Sequence, residues 1–214
     1  MGALERINKA GITKLGAIHR GFSMTGSSKY RYVPLWKIAI DLKSNLPNLP
    51  VICDPSHICG NRDMIFETSQ KALDLGYDGL IIESHIDPDN AWSDAAQQIT
   101  PKKLIQLMKE LKIRKLSVNQ EDYIKNLEKL RTKIDSADND ILDILGKRMK
   151  ISDDIGKLKK KENVAILQSK RWNEILGKMI LEGKERGLSE EFVLKIFKAI
   201  HQESINHQEK IIKN

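Results

Sequence analysis

The chain has 214 residues, a formal net charge of +7, 30% charged and 40% hydrophobic side chains. This composition suits a globular protein and sets aside collagen-like and wholly disordered readings. No apolar run approaches the ~18 residues of a membrane span, and the opening residues do not read as a charged-then-apolar leader. Two cysteines, Cys53 and Cys59, are too few for a disulfide framework or a four-thiolate zinc site, so a cytoplasmic setting is expected. The basic excess does not point to nucleic acid. Residues 1–118 hold 16 Lys+Arg against 12 Asp+Glu, and residues 119–214 hold 20 against 17. The surplus is spread evenly, and no aromatic residues interleave with the tightest run, Lys157 to Lys161.

The first half alternates two kinds of segment. Leu4–Ala10 reads as the tail of a helix. Lys14–His19, Pro50–Asp54 and Gly79–Glu83 are short, apolar and bounded by turn residues, as buried strands are. Helical signals lie between them: Pro34 suits a first helical position, Asn61 a cap for a helix ending at Gly76, and Thr100-Pro101 the start of a helix to about Leu111. Strands spaced by helices predict βαβ units and a parallel sheet. Beyond a polar joint at 114–120 the period becomes helical. Ile124, Leu127, Leu130, Ile134, Ile141, Leu145, Ile155 and Leu158 predict one helix of about 40 residues, roughly 60 Å long. A second helix carries Trp172, Ile175 and Met179, and Ser189 caps a third that runs through Ile211. One very long helix with two shorter partners leaves apolar surface bare, and a helical homodimer is the expected repair.

Polar residues of the first half cluster just after the strands. Arg20 follows the first; Asp54, Ser56 and His57 follow the second; Glu83 ends the third, with Asp94 in the loop beyond. One imidazole and two carboxylates suit a divalent metal with open positions. The strings Ala17–Phe22 (AIHRGF), Cys53–His57 (CDPSH), Ile82–His85 (IESH) and Trp92–Asp94 (WSD) resemble 3-deoxy-D-arabino-heptulosonate 7-phosphate (DAHP) synthase over about residues 1–113. The likeness is to the class whose barrel is often fused to a chorismate mutase. It implies part of a (βα)₈ barrel that condenses phosphoenolpyruvate with erythrose 4-phosphate using a divalent metal. His57, Glu83 and Asp94 then match metal ligands, and Arg20 an arginine that binds phosphoenolpyruvate. The match begins in the second half of that barrel, so about five of its eight strands are expected to be missing, together with an upstream cysteine ligand. Met1 is then an internal start or a fragment boundary.

On the helical half four cations stand out: Arg131, Arg148, Lys159 and Arg171. Arg148 and Lys159 share nearly one helix face, about 20° apart. Arg131 lies roughly 25 Å further along the axis, so it reaches the same small ligand only from an antiparallel partner. Ser204 and Gln208 are i,i+4 neighbours. In register and without insertion, these positions resemble the all-helical chorismate mutases over about residues 121–212. The resemblance implies an intertwined dimer of three-helix chains without a cofactor. Arg131 comes from the partner; Arg148, Lys159, Arg171, Ser204 and Gln208 come from the chain's own helices. Two positions depart from the pattern: Trp172 and Gln168 stand where acidic residues are common, and contact to the substrate hydroxyl is the affected feature. Two domains are thus expected, a partial barrel at 1–113 and a mutase at 121–214, joined by a linker at 114–120. The expected activity is rearrangement of chorismate to prephenate beside an incomplete synthase. Two alternatives stand: a working bifunctional enzyme completed by another chain, and a non-catalytic module that senses prephenate and dimerises.

Overall fold

A computed structural model describes residues 2–115, 117–167 and 169–213. The chain divides into two compact units, Met1–Val118 and Asn119–Asn214. The first opens with α1 (Gly2–Lys9) and then alternates strands and helices: β1 (Ala17–His19), α2 (Trp36–Asn45), β2 (Val51–Cys53), α3 (Pro55–Cys59), α4 (Ile65–Asp74), β3 (Gly79–Leu80) and α5 (Pro101–Glu110). The sheet is parallel in the order β1-β2-β3, with Ala17 opposite Val51 and Cys53 opposite Leu80.

The strands are shorter than the apolar runs that encode them. β3 ends early because Glu83–His85 leaves the ladder and pairs with residue 99: the Ile99 N–H donates to Glu83 O, and the His85 N–H to Ile99 O. The pleat places Val51 and Cys53 on one face, packed with Ala39, Ile58, Ala72 and Tyr77 into a core. The opposite face is barely covered, with Ile18 54% and Ile81 39% exposed. Pro34 does not start α2. Val33 is held extended by an antiparallel bridge with Phe22, as the residue before proline prefers, and the helix begins two residues later at Trp36. Thr100 caps α5 as its sequence suggests, accepting from the Lys103 N–H at 3.2 Å. Asn61 caps the short turn Arg62–Met64 that leads into α4, rather than α4 itself.

His19 ends β1 on the covered face, 2.7 Å from the Tyr77 hydroxyl and edge-on to Trp36. Burial holds its pKa below the ordinary histidine value of 6.5. The unfolded chain therefore takes up a proton that the folded unit refuses, so this contribution is complete above the ordinary histidine range and fades as pH falls through it. The urea midpoint of the first unit, followed by tryptophan fluorescence, should fall on acidification below about pH 6.5. His19→Asn should flatten that slope, and an unchanged slope would show that His19 does not carry it.

The second unit is helical: α6 (Glu121–Lys161, 41 residues), α7 (Ser169–Glu185) and α8 (Glu190–Lys213). α8 packs against the later part of α6 and against α7. At Gly156 a Cβ would stand 3.1 Å from Gln208 Cα, so the missing side chain is what lets α8 approach α6 so closely. Asn163, at φ 50, turns the chain after α6. Ser189 receives the Phe192 N–H at the start of α8. Residues 121–144 of α6 bury nothing within the chain beyond a half-buried Leu127, and Leu130, Ile134, Ile141 and Ile144 are all more than half exposed. An isolated helical stretch of roughly 36 Å is poorly stable in water without a covering partner.

Candidate functional site

In the first unit the chemistry gathers where β2 ends. Asp54 caps α3, accepting from the His57 N–H at 3.1 Å, and Pro55 occupies the first helical turn. That cap brings the His57 ring back over its own helix start, with Nδ1 2.7 Å from Asp54 Oδ2. With Nδ1 engaged by Asp54, Nε2 faces Glu83 Oε1 at 3.5 Å. Glu83 is fixed in turn: its N–H donates to Ser56 Oγ at 3.0 Å, and Gln97 Nε2 donates to its carboxylate at 2.7 Å. Asp94 completes the group in a left-handed conformation, φ 48. Ligand atoms of His57, Glu83 and Asp94 lie within 4.8 Å of one another. One imidazole nitrogen and two carboxylates so close form a donor set that fits a divalent cation with positions left open.

Arg31 carries no signal in the local sequence pattern. Its guanidinium donates to Asp94 Oδ1 at 2.7 Å and Gln97 Oε1 at 2.8 Å, tying two distant loops to the group. That hydrogen bond holds the Asp94 carboxyl below the usual carboxylate range. Gly60 makes the approach possible: it sits at φ 61, and a Cβ there would meet Arg31 Cβ at 2.6 Å. Arg20 lies beside the group, its Nε 3.4 Å from Asp54 Oδ2 and its side chain half exposed. The two cysteines take no part. Both are buried, and burial pushes the Cys53 thiol up to about 12, which leaves it protonated and inert.

The second unit brings together Arg148, Lys159, Ser204 and Gln208, and adds a residue that pattern reading passed over. Arg148 donates to Ser204 Oγ, and Lys159 Nζ to the Ile166 carbonyl beyond the end of α6. Burial lowers the pKa of both cations. Ser204 and Gln208 are themselves buried, and the Gln208 Oε1 has no hydrogen-bond partner among the described residues. His201 stands one turn before Ser204, its ring stacked on Trp172 with centroids 3.9 Å apart and planes 12° from parallel. Its pKa is lowered by burial first, then by the nearby charges of Arg148 and Lys159. The signal that would have found it is the spacing 201, 204, 208, one stripe of α8.

Two expected members stand apart. Arg131 is exposed on the bare part of α6 and pairs with Glu128 on the same helix at 2.7 Å. Arg171 is also exposed, 3.7 Å from Glu174 one turn along α7. Gln168 lies outside the described residues.

Comparison with known proteins divides the chain in the same two parts. The DAHP synthetase I family model matches residues 1–119, and the model described as Chorismate mutase type II matches residues 130–209. A curated relative from Thermotoga maritima, phospho-2-dehydro-3-deoxyheptonate aldolase, is 33% identical over 110 residues, covering 50% of this chain and 32% of the relative. Two solved structures are 29% identical. A truncated form of the Thermotoga maritima DAHP synthase covers 50% of this chain and 40% of its own, with a TM-score of 0.44. The Thermotoga maritima phospho-2-dehydro-3-deoxyheptonate aldolase covers 49% and 30%, with a TM-score of 0.43. The chain thus spans about a third of the length of the curated relative it matches.

Proposed function

Since the chain belongs to the DAHP synthetase I family over residues 1–119 and carries a chorismate mutase type II match behind it, we propose that it works as a chorismate mutase joined to part of a DAHP synthase. The observation that carries the mutase reading is the convergence of Arg148, Lys159, Ser204 and Gln208, buried or half-buried, from two helices. Chorismate has two carboxylates and rearranges without a nucleophile or proton transfer. The protein's task is to hold a compact conformer and to stabilise negative charge growing on the breaking ether oxygen. Arginines grip carboxylates through two parallel hydrogen bonds, which suits Arg148 and Arg171. Lys159 and the Gln208 side-chain amide donate to the ether oxygen, and Ser204 holds Arg148 in place.

Arg131 serves the site of a partner subunit. An antiparallel second copy covers the exposed Leu130, Ile134, Ile141 and Ile144 and carries its own Arg131 to the other chain's Arg148 and Lys159. The mutase occupies 121–214, with 114–120 as a linker, needs no cofactor, and works in the cytoplasm. Residues 1–113 form part of a βα-barrel. The support is a three-stranded parallel sheet with helices over one face, while Ile18 and Ile81 on the other face stay largely bare. His57, Glu83 and Asp94 would hold a divalent ion, which supplies polarisation of a substrate oxygen when bound, and Arg20 would hold phosphoenolpyruvate. Asp54 and Gln97 orient two of those ligands whether or not the ion is present. The test is direct: the purified chain should consume chorismate and form prephenate. A folded chain that leaves chorismate untouched would overturn the reading.

A further inference from the structure

Half-buried His201 and buried Ser204 and Gln208 form a stripe of α8 about 10 Å long. Ser204 is partnered by Arg148, whereas His201 Nε2 and Gln208 Oε1 are shielded from solvent and have no hydrogen-bond partner among the described residues. Orphaned buried polar atoms are uncommon and costly, and two of them flanking one arginine mark a place where a ligand supplies the missing groups. His201 is also the one member of the stripe whose ring is gripped, by the flat face of Trp172 on the neighbouring helix.

We propose that His201 is a further substrate-contacting residue of the mutase site, its Nε2 accepting a hydrogen bond from the ring hydroxyl of the dicarboxylate substrate, and that Trp172 is the positioning residue that orients its ring. The inference rests on the chorismate reading above. The chemistry of the surroundings selects the acceptor role. Arg148 and Lys159 on α6 already supply positive charge for the carboxylates, and the same two charges, added to burial, disfavour an imidazolium between them. A neutral imidazole with a free lone pair complements the hydroxyl hydrogen, which none of the surrounding cations can accept. Trp172 itself offers only an N–H donor and an apolar face, so it takes no such hydrogen bond and instead fixes the ring that does.

Steady-state kinetics on the full chain test this. His201→Leu should raise KM about 3- to 10-fold with kcat nearly unchanged, because a contact made equally in ground and transition states is lost. His201→Asn, which keeps a polar acceptor, should recover most of that loss, and it carries the test if the leucine variant does not fold. Trp172→Phe should stay near wild type, whereas Trp172→Ala should raise KM as His201→Leu does. A chorismate analogue with its ring hydroxyl methylated should bind wild type and His201→Leu equally. A fall in kcat at constant KM, an unchanged KM in both His201 variants, or an analogue that still separates the two proteins would overturn the assignment while leaving the mutase reading intact. A wild-type chain without mutase activity would instead overturn both.

Discussion

Lys159→Ala is expected to lower mutase kcat about 100- to 1,000-fold, the cost of removing one preorganised donor from a developing oxyanion. The lysine is suited to the role. It ends α6, its ammonium is held by the Ile166 carbonyl, and burial lowers its pKa. Helix content should be unaffected, since Lys159 is not among the fully buried residues of α6. Arg131→Ala should match this loss although Arg131 lies on a bare stretch of helix and, among the described residues, forms its ion pair with Glu128 of its own helix. An exposed arginine with one neighbour is ordinarily neutral to remove. A large loss of activity without loss of stability therefore requires a ligand that the chain alone does not place beside it.

The second large effect is an absence. The 214-residue chain by itself is expected to form no DAHP from phosphoenolpyruvate and erythrose 4-phosphate, and calorimetry should register only weak binding of divalent ions. His57, Glu83 and Asp94 supply three donor atoms within 4.8 Å, but Asp94 is already engaged by Arg31 and lies open to water. A sheet of three strands cannot close around such a site and exclude solvent. Arg31→Ala should then strengthen metal binding by freeing Asp94, and unchanged or weaker binding in calorimetry would contradict this. Stoichiometric tight binding, or turnover by a soluble preparation, would show that this unit needs no further strands to work.

Much of the architecture was legible because it rests on local rules. The period of α6 is written in Leu127, Leu130, Ile134 and Ile141, and the caps at Thr100 and Ser189 need only the residues that follow them. Pro34 misled because the bridge between Phe22 and Val33 spans a loop whose pairing no local pattern records. The same limit applies to the sites. His57, Glu83 and Asp94 are readable from short motifs and come together in space, yet Arg31 reaches Asp94 across 63 residues of sequence. His201 was missed for a different reason. A histidine on a helix carries no signal of its own, and its meaning comes from Trp172, whose ring arrives from another helix.

The central claim is that the mutase site is built from two chains, and subunit exchange measures it. Lys159→Ala and Arg131→Ala homodimers should each be nearly inactive. Mixed and re-equilibrated, half of the dimers combine one chain of each kind, and each such dimer has one site with both lesions and one with neither. Activity should return to about a quarter of wild type, far above either parent. If both residues served a site within a single chain, every site in the mixture would carry a lesion. No recovery, with exchange verified by differently tagged chains, would contradict the shared site.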